Sequence, residues 1–193
     1  MKGEGAELME EKVVCLGDSL TFGYPYGSRV SWVHYVSERY PIKMINSGFN
    51  GNIMEEMYNR YKRGVLRHHP SFLVILGGTN DAYSMEISCA ETIYYLEKII
   101  KNAKADEICP VVALPMPVLD DYYAADKLEQ IRKEEKDLAV KYNLHCLDFA
   151  KAFAAPDGNV KEELYLDGVH PNTAGYETMG ELALDFFQGI FQR

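Results

Sequence analysis

Five short apolar runs constrain this chain most: Lys12 to Leu16, Lys43 to Asn46, Phe72 to Leu76, Ile108 to Leu114 and His145 to Phe149. Each is too short for a helix and ends at or beside a Gly, Pro, Asn or Asp, so each reads as a strand ending in a loop. Between them apolar residues recur at helical spacing: Trp32, Val33, Val36 and Tyr40; Met54, Met57, Tyr58, Tyr61 and Val65; Ile93, Leu96, Ile99 and Ile100. Leu128, Ile131, Leu138 and Tyr142 mark a more charged helix, and Tyr176, Met179, Ala183, Phe186, Phe187 and Ile190 a strongly amphipathic last one. Strands alternating with helices form βαβ units, which predicts an α/β fold with a mainly parallel sheet covered on both faces. Such open sheets bind ligands outside the carboxyl ends of their strands.

The 193 residues suit one domain, 1–193, in which 1–11 is expected to be a flexible lead-in. With 47% hydrophobic and 25% charged residues, the chain can build a sizeable core. A net charge of −9 argues against a nucleic-acid partner, which needs a basic footprint. The basic cluster Arg60, Lys62, Arg63, Arg67, His68 and His69 reads as a solvated helix face. Met1 to Lys12 carries four glutamates and lacks the apolar stretch of a secretory signal, so a cytoplasmic location is expected. No apolar stretch is long enough to span a bilayer. Of the four cysteines, Cys15, Cys109 and Cys146 lie in strand-like runs where a thiol packs as a small hydrophobe, and Cys89 opens a helix. An exposed apolar strip on the last helix could serve a homodimer.

The chemistry sits where the strands stop. Gly17-Asp18-Ser19-Leu20-Thr21 follows the first run, Asn46-Ser47-Gly48 the second, Gly77-Gly78-Thr79-Asn80-Asp81 the third, and Asp167-Gly168-Val169-His170-Pro171 precedes the last helix. A serine hydroxyl is a poor nucleophile at neutral pH and needs a base, itself oriented by a third group. Ser19, His170 and Asp167 can fill those catalytic roles. Candidate donors for a developing oxyanion are the Ser19 and Gly48 N–H groups and the Asn80 amide. Taken singly, each motif reads as a turn or a helix cap; together they serve one chemistry at one sheet edge. Asn172 or Thr173 could cap the final helix. Phosphate-loop, dinucleotide, zinc-protease and Gly-x-Ser-x-Gly patterns are absent, so neither a cofactor nor a metal is expected.

With these residues in place, the chain resembles the SGNH/GDSL hydrolase family, whose four blocks occur here in order: Gly17-Asp18-Ser19-Leu20-Thr21-Phe22-Gly23, Asn46-Ser47-Gly48-Phe49-Asn50-Gly51, Gly78-Thr79-Asn80-Asp81 and Asp167-Gly168-Val169-His170-Pro171-Asn172-Thr173-Ala174-Gly175-Tyr176. The resemblance implies a flavodoxin-like three-layer α/β/α sandwich around a mostly parallel five-stranded sheet. It also implies Ser19 as nucleophile and oxyanion donor, Gly48 and Asn80 as the other donors, His170 as base and Asp167 as its partner. Ile53 departs from the family pattern, standing where many members carry a threonine; that bears on substrate fit and leaves the chemistry alone.

The expected reaction is hydrolysis of a carboxylic ester through an acyl-enzyme. A short- to medium-chain ester, lysophospholipid or thioester is the first expectation for the substrate and a sugar O-acetyl ester the second. A non-catalytic acyl- or sugar-binding module is the contrasting one. Tyr24, Tyr26, Tyr83 and Tyr122 could line the substrate pocket, and Pro115 to Ala125 is expected to be a mobile loop over it.

Overall fold

The computed structural model describes residues 11–191. Strands β1 (Lys12–Gly17), β2 (Lys43–Gly48), β3 (Phe72–Leu76), β4 (Cys109–Leu114) and β5 (His145–Asp148) form a 5-stranded sheet in the order β2-β1-β3-β4-β5. Every neighbouring pair is parallel. The helices are α1 (Ser19–Phe22), α2 (Trp32–Ser37), α3 (Met54–Asn59), α4 (Tyr61–Gly64), α5 (Thr79–Tyr83), α6 (Cys89–Ala105), α7 (Tyr122–Tyr142), α8 (Ala150–Phe153) and α9 (Thr173–Phe191).

Alternation along the strands divides the core in two. Val13, Cys15, Val74, Leu76, Val111, Ala113 and Leu147 face Trp32 and Val36 of α2 and Tyr176, Met179 and Phe187 of α9. Val14, Leu16, Leu73, Ile75, Val112 and Leu114 face Met54 and Met57 of α3, Leu96, Ile99 and Ile100 of α6, and Leu138 of α7. Burying side chains of this size contributes roughly 1.5–3 kcal/mol each, which is why both faces must be covered. The result is the three-layer sandwich expected from the sequence. Its strand order reverses between β1 and β3, so the crevice of such a sheet opens where Gly17 and Leu76 end their strands.

Several local expectations are corrected. β2 runs on to Gly48, because Ser47 and Gly48 pair with Leu16 and Gly17. α2 stops at Ser37, leaving Tyr40 beyond it to pack on Phe191. Pro115 to Ala125 is not a free loop: Met116 and Val118 are buried, the Tyr165 hydroxyl donates to the Pro117 carbonyl at 2.6 Å, and Leu119 N–H donates to the Gly168 carbonyl at 2.8 Å. Asp121 accepts from Ala124 N–H at 2.9 Å and so caps α7, which places Tyr122 and Tyr123 in that helix's first turn. Cys109 is exposed rather than packed. The apolar side of α9 is closed against the core by Tyr176, Met179, Ala183 and Phe187, with Leu182, Leu184, Phe186 and Phe191 packed at its margin. Most of the strip that suggested a dimer is therefore turned to the core, with Ile190 partly exposed beside it. Most of the expected lead-in lies outside the described residues; Glu11, which is described, is exposed just ahead of β1. Among the described residues no helix is long and apolar enough to cross a membrane.

Candidate active site

Ser19 is placed by a turn that only glycine permits. A Cβ on Gly17 would lie 2.1 Å from the Thr21 hydroxyl and 2.7 Å from the Leu76 carbonyl oxygen. Asp18 then caps α1, its Oδ1 accepting from Leu20 N–H at 2.9 Å. Ser19 becomes the first residue of that helix and is 7% exposed.

The Asp167–His170 turn meets it from the far end of the chain. Ser19 Oγ lies 3.1 Å from His170 Nε2, and His170 Nδ1 lies 2.9 Å from Asp167 Oδ2. Asp167 Oδ1 accepts from the backbone N–H groups of Val169 at 3.0 Å and His170 at 2.7 Å. Burial opposes ionisation of Asp167, but the hydrogen bonds from His170 and Val169 outweigh it and hold the carboxyl below its usual range. The carboxylate thus engages Nδ1–H, leaving the lone pair of Nε2 toward the serine hydroxyl. Tyr24 lies against the imidazole with ring centroids 4.6 Å apart. The Tyr176 hydroxyl donates to the Tyr24 carbonyl at 2.9 Å, steadying that loop. Asn172 Oδ1 accepts from Gly175 N–H at 3.0 Å and serves as the cap of α9.

The oxyanion donors require one correction. Gly48 N–H is already donated to Asn46 Oδ1 at 3.0 Å. Gly48 has a packing role instead, since a Cβ there would lie 2.3 Å from Phe22 N in the helix that carries Ser19. Gly51, three residues on, has the freer N–H. Asn52 N–H donates to the Phe49 carbonyl at 3.1 Å, closing a turn whose third residue, Gly51, has φ +79 and open space around it. Among the described residues neither Gly51 N–H nor Ser19 N–H has a protein acceptor. Asn80 stands in the first turn of α5, and its Nδ2 donates to the Asn52 carbonyl at 3.0 Å and to Asp18 Oδ2 at 3.3 Å. Gly48→Ala is therefore expected to lower both activity and stability, by about 1–3 kcal/mol, because the backbone of α1 must move. Thermal unfolding beside ester turnover measures this; an unshifted Tm would remove the packing role.

Sequence reasoning missed the supports beneath these groups. Arg60 is not on a solvated face: its Nη2 donates to the Gly17 and Ser47 carbonyls at 2.7 and 2.9 Å, and its Nε to Asn52 Oδ1 at 2.5 Å. Burial lowers the guanidinium's pKa, against the raising influence of Asp18 and Glu56. Asp18, Asp81 and Glu135 are buried carboxyls at 0%, 1% and 1% exposure. Burial pushes the first up to about 7 and raises the other two. No sequence signal separates Arg60 from the exposed Lys62, Arg63 and Arg67 around it.

The tyrosines expected at the pocket divide. Tyr24 touches His170, whereas Tyr26 is 40% exposed further along the same loop, and Tyr122 is 82% exposed at the start of α7. Tyr83 follows Asn80 by one helical turn and hydrogen-bonds Asp120, which abuts Gly168 in the Asp167–His170 turn. Beside this bridge lies a cavity of about 790 Å³ whose lining includes Ala82, Tyr83, Met85, Ile87, Tyr123 and Ala124. Lys127 also lines it, but its ammonium is committed to the carbonyls of Asp81, Ser84 and Ile87 at 2.8, 2.6 and 2.5 Å. The wall is thus more apolar than its composition suggests.

A strand-end serine, a histidine and an aspartate in hydrogen-bonded sequence on this sheet define a serine-hydrolase class of site. Residues 15–178 match the GDSL-like lipase/acylhydrolase family, and the chain belongs to it. Among solved structures it is similar to a protein assigned to the G-D-S-L lipolytic family from Desulfitobacterium hafniense DCB-2, with TM-score 0.84 and 29% identity over 91% of this chain and 99% of that one. It is also similar to a lipase/acylhydrolase from Enterococcus faecalis, with TM-score 0.81 and 26% identity over 93% and 96%. The acetylxylan esterase Axe2 from Geobacillus stearothermophilus shares the fold, at TM-score 0.77 and 21% identity over 91% and 93%. In sequence, the uncharacterized lipoprotein YqeF of Bacillus subtilis is 28% identical over 57% of this chain, and the match spans 50% of that protein. The thioesterase 1/protease 1/lysophospholipase L1 of Escherichia coli is 22% identical over 84% of this chain and 76% of its own length.

Proposed function

We propose that this protein hydrolyses carboxylic esters through an acyl-enzyme on Ser19. The observation that carries the proposal is the relay from Ser19 Oγ to His170 Nε2 at 3.1 Å and from His170 Nδ1 to Asp167 Oδ2 at 2.9 Å. Ser19 Oγ attacks the ester carbonyl while Nε2 takes its proton, and Asp167 stabilises the resulting imidazolium. The carbonyl oxygen, now anionic, is held by the N–H groups of Ser19 and Gly51 and by Asn80 Nδ2, whose 3.3 Å bond to Asp18 is the weaker of its two and is exchanged for the oxyanion. Collapse expels the alcohol, which leaves with the proton from His170. Water then gives up a proton to the same nitrogen, attacks the acyl carbon and frees the acid and Ser19.

The cavity beside Tyr83 supports a short- to medium-chain acyl group or a lipid-type acyl ester, since its polar groups are largely spent within the protein. The reducing cytoplasm is the proposed location, supported by cysteines that are all free.

Turnover of p-nitrophenyl esters from acetate to decanoate, with Ser19→Ala alongside, tests the reading. The expected result is activity in the wild type alone, with an optimum beyond acetate. An optimum at acetate moves the substrate to acetyl esters, including those of sugars. Silence across the series, together with no labelling of Ser19 by a fluorophosphonate, overturns the hydrolase reading in favour of a binding module.

A further inference from the structure

The loop that presents Gly51 lacks the usual means of fixing its exit. Ile53 precedes α3 and has no side-chain oxygen to cap that helix. The cap comes from elsewhere: both oxygens of Asp81 accept from Met54 N–H, at 3.2 and 3.1 Å. Glu56 reaches back to Ile53 N–H at 3.2 Å and to Asn52 Nδ2 at 3.0 Å. Asn52 is 6% exposed, and each of its polar groups is used. Its Oδ1 accepts from Arg60 Nε at 2.5 Å, its Nδ2 donates to Glu56, its N–H closes the turn around Gly51, and its carbonyl accepts from Asn80 Nδ2 at 3.0 Å. The same Arg60 guanidinium grips the carbonyl of Gly17, two residues before Ser19.

We propose that Asn52 is the positioning residue of the oxyanion site, holding the Gly51 peptide and the Asn80 amide at a fixed spacing from Ser19, with Arg60 and Glu56 as its two anchors. The proposal rests on the serine-hydrolase reading. The inference follows from hydrogen-bond accounting. A buried amide with both ends satisfied has one orientation, and the backbone of Asn52 both accepts from Asn80 Nδ2 and closes the turn that carries Gly51. Removing the amide leaves Arg60 Nε without its acceptor and Glu56 with Ile53 N–H alone, and frees the turn to shift. Donors preorganised for an oxyanion act through position, so a shift of this kind weakens transition-state binding while leaving ground-state binding alone.

The test compares Asn52→Ala, Asn52→Asp, the pair Asn52→Asp with Glu56→Gln, and Ser19→Ala. Each is measured for ester kcat and KM, for the rate of Ser19 labelling by a fluorophosphonate, and for thermal unfolding. Asn52→Ala is expected to lower kcat and the labelling rate about 10–100-fold, somewhat less than loss of a whole donor, with KM within about twofold. Asn52→Asp sets a carboxylate against Glu56 and is expected to fall as far. Adding Glu56→Gln removes the like-charge clash and lets its amide donate to that carboxylate, at the loss of the bond from Ile53 N–H, and is expected to recover part of the rate. Wild-type kcat and labelling in Asn52→Ala overturn the positioning role, as does a loss that merely follows the fraction unfolded or a double variant no better than Asn52→Asp. Any of these results, with Ser19→Ala inactive, leaves the hydrolase reading standing; activity that survives Ser19→Ala overturns both readings.

Discussion

Ser19→Ala is expected to lower kcat on a preferred p-nitrophenyl ester by on the order of 10⁴–10⁶, with His170→Ala costing a similar factor and the double variant no more than the worse single one. The non-additivity is the informative part. Ser19 and His170 act as one unit across their 3.1 Å contact: an unassisted hydroxyl attacks slowly, and an imidazole without a nucleophile beside it has nothing to activate. Whatever rate survives comes from binding and from the oxyanion donors, which both variants retain. Thermal unfolding is expected to change little, because Ser19→Ala removes one hydroxyl whose side-chain partner is His170 and His170 lies in a partly open turn. Additive losses, or a His170→Ala protein keeping a tenth of wild-type activity, would assign the base elsewhere.

The second large effect is on stability. Burial raises the Asp18 carboxyl from 3.8 to about 7, against the lowering influence of its bond from Leu20 and of Arg60. Below about pH 4 the group is protonated whether the chain is folded or not. Between that point and about 7 the unfolded chain has lost the proton while the folded protein keeps it. The folded state then binds more protons, so stability falls as pH rises through this window, by roughly 4 kcal/mol in all for a fully buried group. Asp81 and Glu135, also raised by burial, contribute in the same direction. Asp167, held below its usual value, has the opposite sign, and its stabilisation is lost as pH falls. Asp18→Asn cannot ionise and is expected to remove the Asp18 share of the slope between about pH 4 and pH 7 in chemical denaturation. Equal slopes in the two proteins would mean that ionised Asp18 is tolerated in place. Activity should fall in this variant, because a second amide would face Asn80 where Oδ2 now accepts from it.

The elements were legible because their signals are local. Apolar runs with glycine-rich exits read as strands ending in loops, and the helices between them showed their spacing. The four blocks read as chemistry because Gly17, Ser19, Asn80 and the Asp167–His170 turn each carry a local reason for their residue type. Less legible was anything that depends on which backbone group lies nearby. Gly48 and Gly51 look alike in the sequence as loop glycines. Only the packed sheet shows that one N–H goes to Asn46 and that the helix bearing Ser19 presses on its Cα, while the other stands open. Arg60 differs from its exposed basic neighbours only in facing the carbonyl ends of β1 and β2.

Periodicity and turn chemistry act within about ten residues, so the amino-acid order alone determined the α/β class and marked the candidate nucleophile and its candidate relay. Satisfying a buried hydrogen-bonding group requires a partner from a distant segment. The tertiary structure therefore decided which glycine can serve the oxyanion, how the 115–121 segment is tied down, and why Asn52 and Arg60 stand beneath the site.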